Sequence, residues 1–267
     1  IPAPLAWARG MEGRAARVTF RLPDPTWTIA TQLFPTSDST TFTAPNMQYL
    51  MDSPVHLGAQ SWHTWPVASN GKTYTMRVAL HHLGTREEAD RYVDATQRIV
   101  EQATAVFGTL PDFDGGTYTF LSTYLPWAAG DGMEHRNSTS LTSTGSLASS
   151  MNGLLGTVSH EFFHAWNVER IRPRSLEPFA FDEANMSGEL WLAEGFTSYY
   201  GPLVLRRAAI TDDAGFGATM AGAVNLVLNA PGRRYFSAVQ MSRQAPFTDA
   251  AVSIDPQNKG NTFISYY

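Results

Sequence analysis

The stretch from Ser146 to Val168 constrains the fold more than any other part of the chain. It contains no proline, and Leu147, Met151, Leu154, Leu155, Val158, Phe162 and Phe163 recur at helical spacing. Arg170 and Arg172, then Pro173, supply the cations and the breaker expected past a helix C-terminus. The sequence therefore predicts a helix over 146–168, and this helix carries His160-Glu161-Phe162-Phe163-His164, a match to H-E-x-x-H. Residues four apart lie on nearly one helix face, so His160 and His164 can aim both imidazoles at one metal ion. Glu161, rotated by about 100° from His160, flanks that face, where it can hold a water and accept its proton. This is the arrangement of a zinc-assisted hydrolase. A purely structural helix carrying two core histidines would share the apolar spacing, so the metal reading needs a third ligand.

The chain has no cysteine, which leaves His, Asp or Glu for that ligand. Glu194 is the best candidate. It is the single carboxylate in Leu190–Tyr200, an otherwise mostly apolar segment that reads as a helix, and a carboxylate is costly to bury there unless paired or metal-bound. Asp182, Glu183 and Glu189 compete for the role, but they lie in or next to a polar, proline-bounded loop suited to solvated side chains. A second helix running antiparallel to the first would bring Glu194 opposite the two histidines.

With these words in view, the chain resembles the glycyl aminopeptidase family of gluzincin zinc metallopeptidases. The resemblance is carried by His160 through Pro173 (HEFFHAWNVERIRP) and by Trp191 through Tyr200 (WLAEGFTSYY). The interval of 30 positions from His164 to Glu194 is also similar to this family, and longer than in thermolysin or the aminopeptidase N group. Family-like segments run from about Val18 to Tyr267. The resemblance implies one zinc ion held by His160, His164 and Glu194, with Glu161 as general base.

Two further roles come from the resemblance. Gluzincin aminopeptidases carry a G-x-M-E-N strand whose backbone pairs with substrate and whose Glu binds the substrate's α-ammonium. Gly132-Met133-Glu134 is similar to that strand, with His135 standing in place of the Asn. Glu134 would then hold a free N-terminus, making peptides with a free amine the substrates. Related enzymes also place a tyrosine near the metal to stabilise the oxyanion, ahead of a Y-x-K-G word. Tyr267 is the candidate and Tyr266 the runner-up; the chain stops before any Lys-Gly, so the register between them stays open. The family's usual longer β-rich beginning and a following PDZ domain imply that this chain is an internal piece. Members of this family are often exported bacterial proteins, so the resemblance also implies an exported or periplasmic protein, with a cytoplasmic one as the alternative.

The expected architecture is α+β: a β-rich N-terminal region over 1–82, then an incomplete thermolysin-like catalytic domain over 83–267. Val18–Leu22 and Thr73–Leu80 alternate with period two and read as strands. Thr85-Arg86-Glu87-Glu88 is a capping box opening a long helix that ends before Gly108. Gly115-Gly116 turns into a strand over 117–125. Residues 137–150, rich in Ser and Thr, read as a loop. Pro202 is expected to kink or end the Glu194 helix, and 213–228 reads as another helix.

Several functions are disfavoured. A net charge of −5 without any Lys/Arg run argues against a nucleic-acid surface. No apolar run reaches the roughly 18 residues of a membrane span. Gly71-Lys72-Thr73 lacks the upstream glycine of a phosphate loop, Asp112–Gly116 lacks the later ligands of a calcium loop, and no G-x-S-x-G is present. His56, His63, His81 and His82 have no ligand spacing and read as structural, and Asn137-Ser138-Thr139 carries little weight as a glycosylation triplet. The expectation is a zinc aminopeptidase preferring Gly or Ala. Its rivals are an endopeptidase of the same fold, in which Glu134 holds no amine, and a non-catalytic peptide-binding module. Oligomeric state is not encoded in any pattern found.

Overall fold

The computed structural model describes residues 7–248 and 263–267. The chain forms two compact units, Ile1–Ala165 and Trp166–Tyr267, each described here by itself.

The first unit is mixed α/β with a β-rich beginning. Strands β1 (Ala16–Thr19), β3 (Phe34–Pro35) and β4 (Thr41–Ala44) form a small antiparallel sheet in the order β1-β4-β3. Leu33, Phe42 and Ala44 pack there with Tyr49 of the short helix α1 (Met47–Met51). Strands β2 (Thr28–Thr31) and β5 (Val55–Gly58) pair separately.

A five-stranded sheet dominates the unit, with order β6-β7-β8-β10-β9. Its strands are β6 (Ser61–Ser69), β7 (Lys72–His82), β8 (Thr117–Tyr124), β9 (Asp131–His135) and β10 (Ser138–Ser143). It draws strands from both sides of residue 82. β6 and β7 form a hairpin whose two-residue turn, Asn70-Gly71, has both φ values positive, at 49° and 73°. That is the backbone a tight hairpin demands and Asn-Gly accepts most readily. Lys72 pairs with Asp112 at 2.7 Å.

β8 lies parallel to both β7 and β10, and is buried along almost its whole length. Parallel strands covered on both faces read as continuous apolar or hydroxyl-bearing runs. Tyr118, Phe120, Ser122 and Tyr124 share one face. Helix α2 (Arg86–Phe107) packs there through Tyr92, whose hydroxyl bonds Ser122 and Tyr124 at 3.0 and 2.8 Å. Helix α3 (Leu147–Phe163) covers the same face, with Phe162 against Tyr118 and Phe120 at ring separations of 5.1 and 5.4 Å. On the opposite face Leu121 meets Ala79 and Ala30, and His56 bonds Thr123 and Ser140 at 3.0 and 2.9 Å. Burial pushes the His56 ring down to about 4, consistent with the structural role read from its spacing.

The α2 capping box at Thr85 and Glu88 is present, and Gly108 closes the helix at φ 86°. One reading needs correction. Residues 137–150 are not a loop: Ser138–Ser143 is β10, inserted between β8 and β9, and Ser146 caps α3. Thr139 and Leu141 are fully buried, and threonine suits a pleated, half-buried surface better than its polarity suggests. Asn137 is 2% exposed and bonds Tyr49 and Asp114, so it offers no accessible acceptor for a glycan.

The second unit is helical among its described residues. A π-helical turn at Trp191–Gly195 leads into α4 (Phe196–Arg207), followed by α5 (Asp213–Asn229), α6 (Ala238–Ser242) and α7 (Ala245–Thr248). Pro202 does not end α4, which runs on to Arg207. The ring removes one backbone donor, and the residues after it still have theirs. Met241, Ala245 and Tyr266 form a small core with Leu190, Trp191, Phe236, Phe263 and Ile264 packed on it. No described helix is long and apolar enough to cross a membrane.

Candidate active site

The site begins with α3. Ser146 caps its start, accepting from the Ser149 amide at 3.2 Å. Its end comes earlier than the sequence predicts. The helix closes at Phe163, with His164 as its C-cap, and the Ala165 amide reaches back three residues to Phe162. Val168 lies in the turn that follows. The last turn still holds the motif. The rings of His160 and His164 stand 4.8 Å apart, centre to centre, at 77°. Phe162, two residues from each histidine, points roughly the other way and is fully buried in the sheet. That packing fixes the rotation of the helix, and with it the face on which the histidines sit.

Glu161 is 6% exposed and His164 1% exposed. Strand β9 runs against this part of α3. A Cβ on Gly132 would collide with the Glu161 carboxylate and the Thr157 methyl, so a larger residue there would have to push those side chains aside. Two residues along the same face of β9 lies Glu134. One carboxylate oxygen of Glu134, one of Glu161 and a ring nitrogen of His164 lie within 4.8 Å of one another. Two carboxylates this close repel unless a cation or a proton lies with them. β9 is also the edge of the sheet, and no described strand pairs with its outer side. Met133, on the other face of the pleat, is half exposed.

In the second unit, Glu194 lies on the π turn and is partly buried. Single π turns inside helices occur often at functional sites. Two buried polar side chains hold this one. Asn167 donates its amide to the carbonyls of Leu192 and Ala193 at 3.0 and 3.2 Å, and Thr197 donates to the Ala193 carbonyl at 2.6 Å. Neither residue stood out in the sequence; the only signal was an Asn inside the otherwise apolar run after His164. Of the competing carboxylates, Asp182 and Glu183 are exposed. Glu189 accepts from Ser187 Oγ at 2.8 Å and from the Gly188 amide, and these bonds, led by Ser187, hold it below the usual carboxylate range. The backbone of Tyr266 and Tyr267 packs on Gly195, the neighbour of Glu194. Tyr266 is buried in the small core, whereas Tyr267 is 56% exposed, its ring stacked on that of Tyr266.

A model described as M61 glycyl aminopeptidase matches residues 153–267, and a model of the M61 N-terminal domain matches residues 1–59. Among solved structures, an aminopeptidase N family protein from Idiomarina loihiensis superposes with a TM-score of 0.80 at 23% identity, over 97% of this chain. The two share a fold, and the present chain spans 45% of that protein's length. An M1 zinc metallopeptidase variant from Deinococcus radiodurans gives a TM-score of 0.46 at 16% identity, over 88% of this chain and 48% of the other, too low to establish a common fold. No curated protein matches the chain. The two M61 matches together take in well over half of the sequence: the chain belongs to the M61 glycyl aminopeptidase family.

Proposed function

We propose that this chain carries the catalytic centre of a zinc-dependent aminopeptidase with a gluzincin, thermolysin-like catalytic domain. It would release small residues, Gly or Ala, from the N-terminus of peptides. One observation carries the reading beyond a generic hydrolase: the carboxylate of Glu134 beside Glu161 and His164. A carboxylate pair at the edge of a sheet is a place for a cation, and the cation at the end of a peptide is its α-ammonium.

The donor set fits zinc. The imidazoles of His160 and His164, one helical turn apart, and the carboxylate of Glu194 would supply the three nitrogen and oxygen ligands that a catalytic zinc site takes. When bound, zinc would supply Lewis acidity, making a water acidic near neutral pH and polarising the scissile carbonyl.

The chain's own residues do the rest. Glu161 takes the proton from the attacking water and gives it to the leaving amine. Its burial, with Gly132 close by, leaves that carboxylate little freedom to move. Tyr267 donates its phenol hydrogen to the developing oxyanion. Its half-exposed ring favours it over the buried Tyr266 for that role. An extended peptide adds to the outer edge of β9 along Gly132 and Met133, and Glu134 accepts hydrogen bonds from its terminal ammonium.

The test is a pair of peptides identical except for N-acetylation. The free amine should be cleaved roughly tenfold to a hundredfold faster, the worth of a charge-assisted hydrogen bond. Equal rates would make the enzyme an endopeptidase. Peptide binding without hydrolysis, at full zinc occupancy, would make it a binding module.

A further inference from the structure

His135 departs from the Asn expected in the G-x-M-E-N strand, and the structure gives that histidine a partner of its own. It is 8% exposed, and its Nδ1 lies 3.0 Å from Asp52 Oδ1. Asp52 caps the end of α1, 83 positions earlier in the chain. Its other oxygen accepts from the Arg136 backbone amide at 3.0 Å. The turn joining β9 to β10 is thus gripped twice by one carboxylate. Gln32 adds to the grip: its Oε1 accepts from the Asn137 amide and the Ser138 hydroxyl, both at 2.8 Å, while its Nε2 donates to the Asp52 carbonyl at 2.8 Å.

The pleat makes this grip matter. Successive side chains of a strand point to opposite faces. Gly132 and Glu134 share the face turned to Glu161, and His135 points the other way, toward the N-terminal region. Fixing His135 and the Arg136 amide therefore sets the height and register of the residue between them and the base, which is Glu134.

We infer that Asp52 is a positioning residue: through His135 and Arg136 it holds strand β9 so that Glu134 meets the substrate's terminal ammonium. This rests on the reading of Glu134 as amine anchor. It also gives residues 1–59, the part matched by the M61 N-terminal domain, a share in substrate selection.

The experiment uses Asp52→Ala and the milder Asp52→Asn in the whole chain, with two readouts. Hydrogen exchange of the Arg136 amide should speed up about tenfold in Asp52→Ala, the effect of losing a bond to a charged acceptor, while β7 and β8 keep their protection. The preference for a free over an acetylated amine should fall about tenfold, through KM rather than kcat. His135→Asn added to Asp52→Ala should change that preference little further, because both act on one strand. If Asp52→Ala does not fold, Asp52→Asn should show the same shift in KM at smaller size. Unchanged Arg136 exchange would overturn the grip. Freed exchange with an unchanged amine preference would leave Asp52 a structural residue only and overturn its positioning role. Equal wild-type rates on the two peptides would overturn the anchor reading itself, and the role of Asp52 with it.

Discussion

The helix that carries the base and the turn that carries the proposed third ligand are built on opposite principles. α3 is held by apolar burial. Six of its eight buried residues are apolar, and Phe162 fills a space lined by Tyr118 and Phe120. The Trp191–Gly195 turn buries only Ala193; Trp191 packs on the small core of Met241, Ala245 and Tyr266, but the carbonyls of the turn are held by hydrogen bonds from Asn167 and Thr197. Apolar packing is strong and indifferent to what binds nearby. A few buried polar bonds fix a geometry that α-helical repetition would not give, at the cost of depending on each partner. Glu161, the proposed base, thus lies on a helix held by the packed core, whereas Glu194, the proposed third ligand, sits on a locally specified turn that metal binding would reinforce.

That contrast can be broken at several points. The largest effect is expected from the turn itself. Glu194→Ala should lower zinc affinity by more than the roughly hundredfold that losing an outer-shell partner costs, read as zinc retained after dialysis. Retention of full zinc would move the third ligand elsewhere. On the other side, Phe162→Ala should destabilise the fold by about 3–5 kcal/mol in denaturant unfolding, because its cavity lies against a parallel strand that cannot close in. A loss below about 1 kcal/mol would mean that α3 is not held as described.

Acid sharpens the comparison next. The His56 ring, on the other face of β8, titrates at about 4 in the folded chain against 6.5 when free. The unfolded chain therefore binds the proton first. The contribution of His56 to stability is full above 6.5 and is lost as pH falls from 6.5 to about 4, by roughly 3 kcal/mol in all. Unfolding followed against pH should show this slope, and His56→Gln should flatten it. An unchanged slope in that variant would assign the effect to other groups. The smallest effect is expected from Asn167→Ala. It should cost about 1–3 kcal/mol and lower zinc affinity roughly tenfold, without touching the packing of α3.

How much of this was legible follows the same division. Apolar periodicity announces α3, the Thr85 capping box announces α2, and H-E-x-x-H puts two imidazoles on one helix face from sequence alone. Those signals are local. β10 was missed because its Ser and Thr residues look like a loop until neighbouring strands cover them. Pro202 reads as a kink or an end, because the cost of one lost bond is visible in sequence and the turns that carry α4 on to Arg207 are not. Asp52 and Gln32 were invisible for another reason: their partners lie more than 80 positions away, at spacings no pattern records.

The account turns on Glu161 as the base of a zinc peptidase. Glu161→Gln keeps the side chain's size and removes the charge that accepts the proton. The account predicts that this variant binds as much zinc as the parent and cleaves free-amine peptides at least about 10²- to 10⁴-fold more slowly. Undiminished cleavage by a fully zinc-loaded Glu161→Gln protein would contradict it.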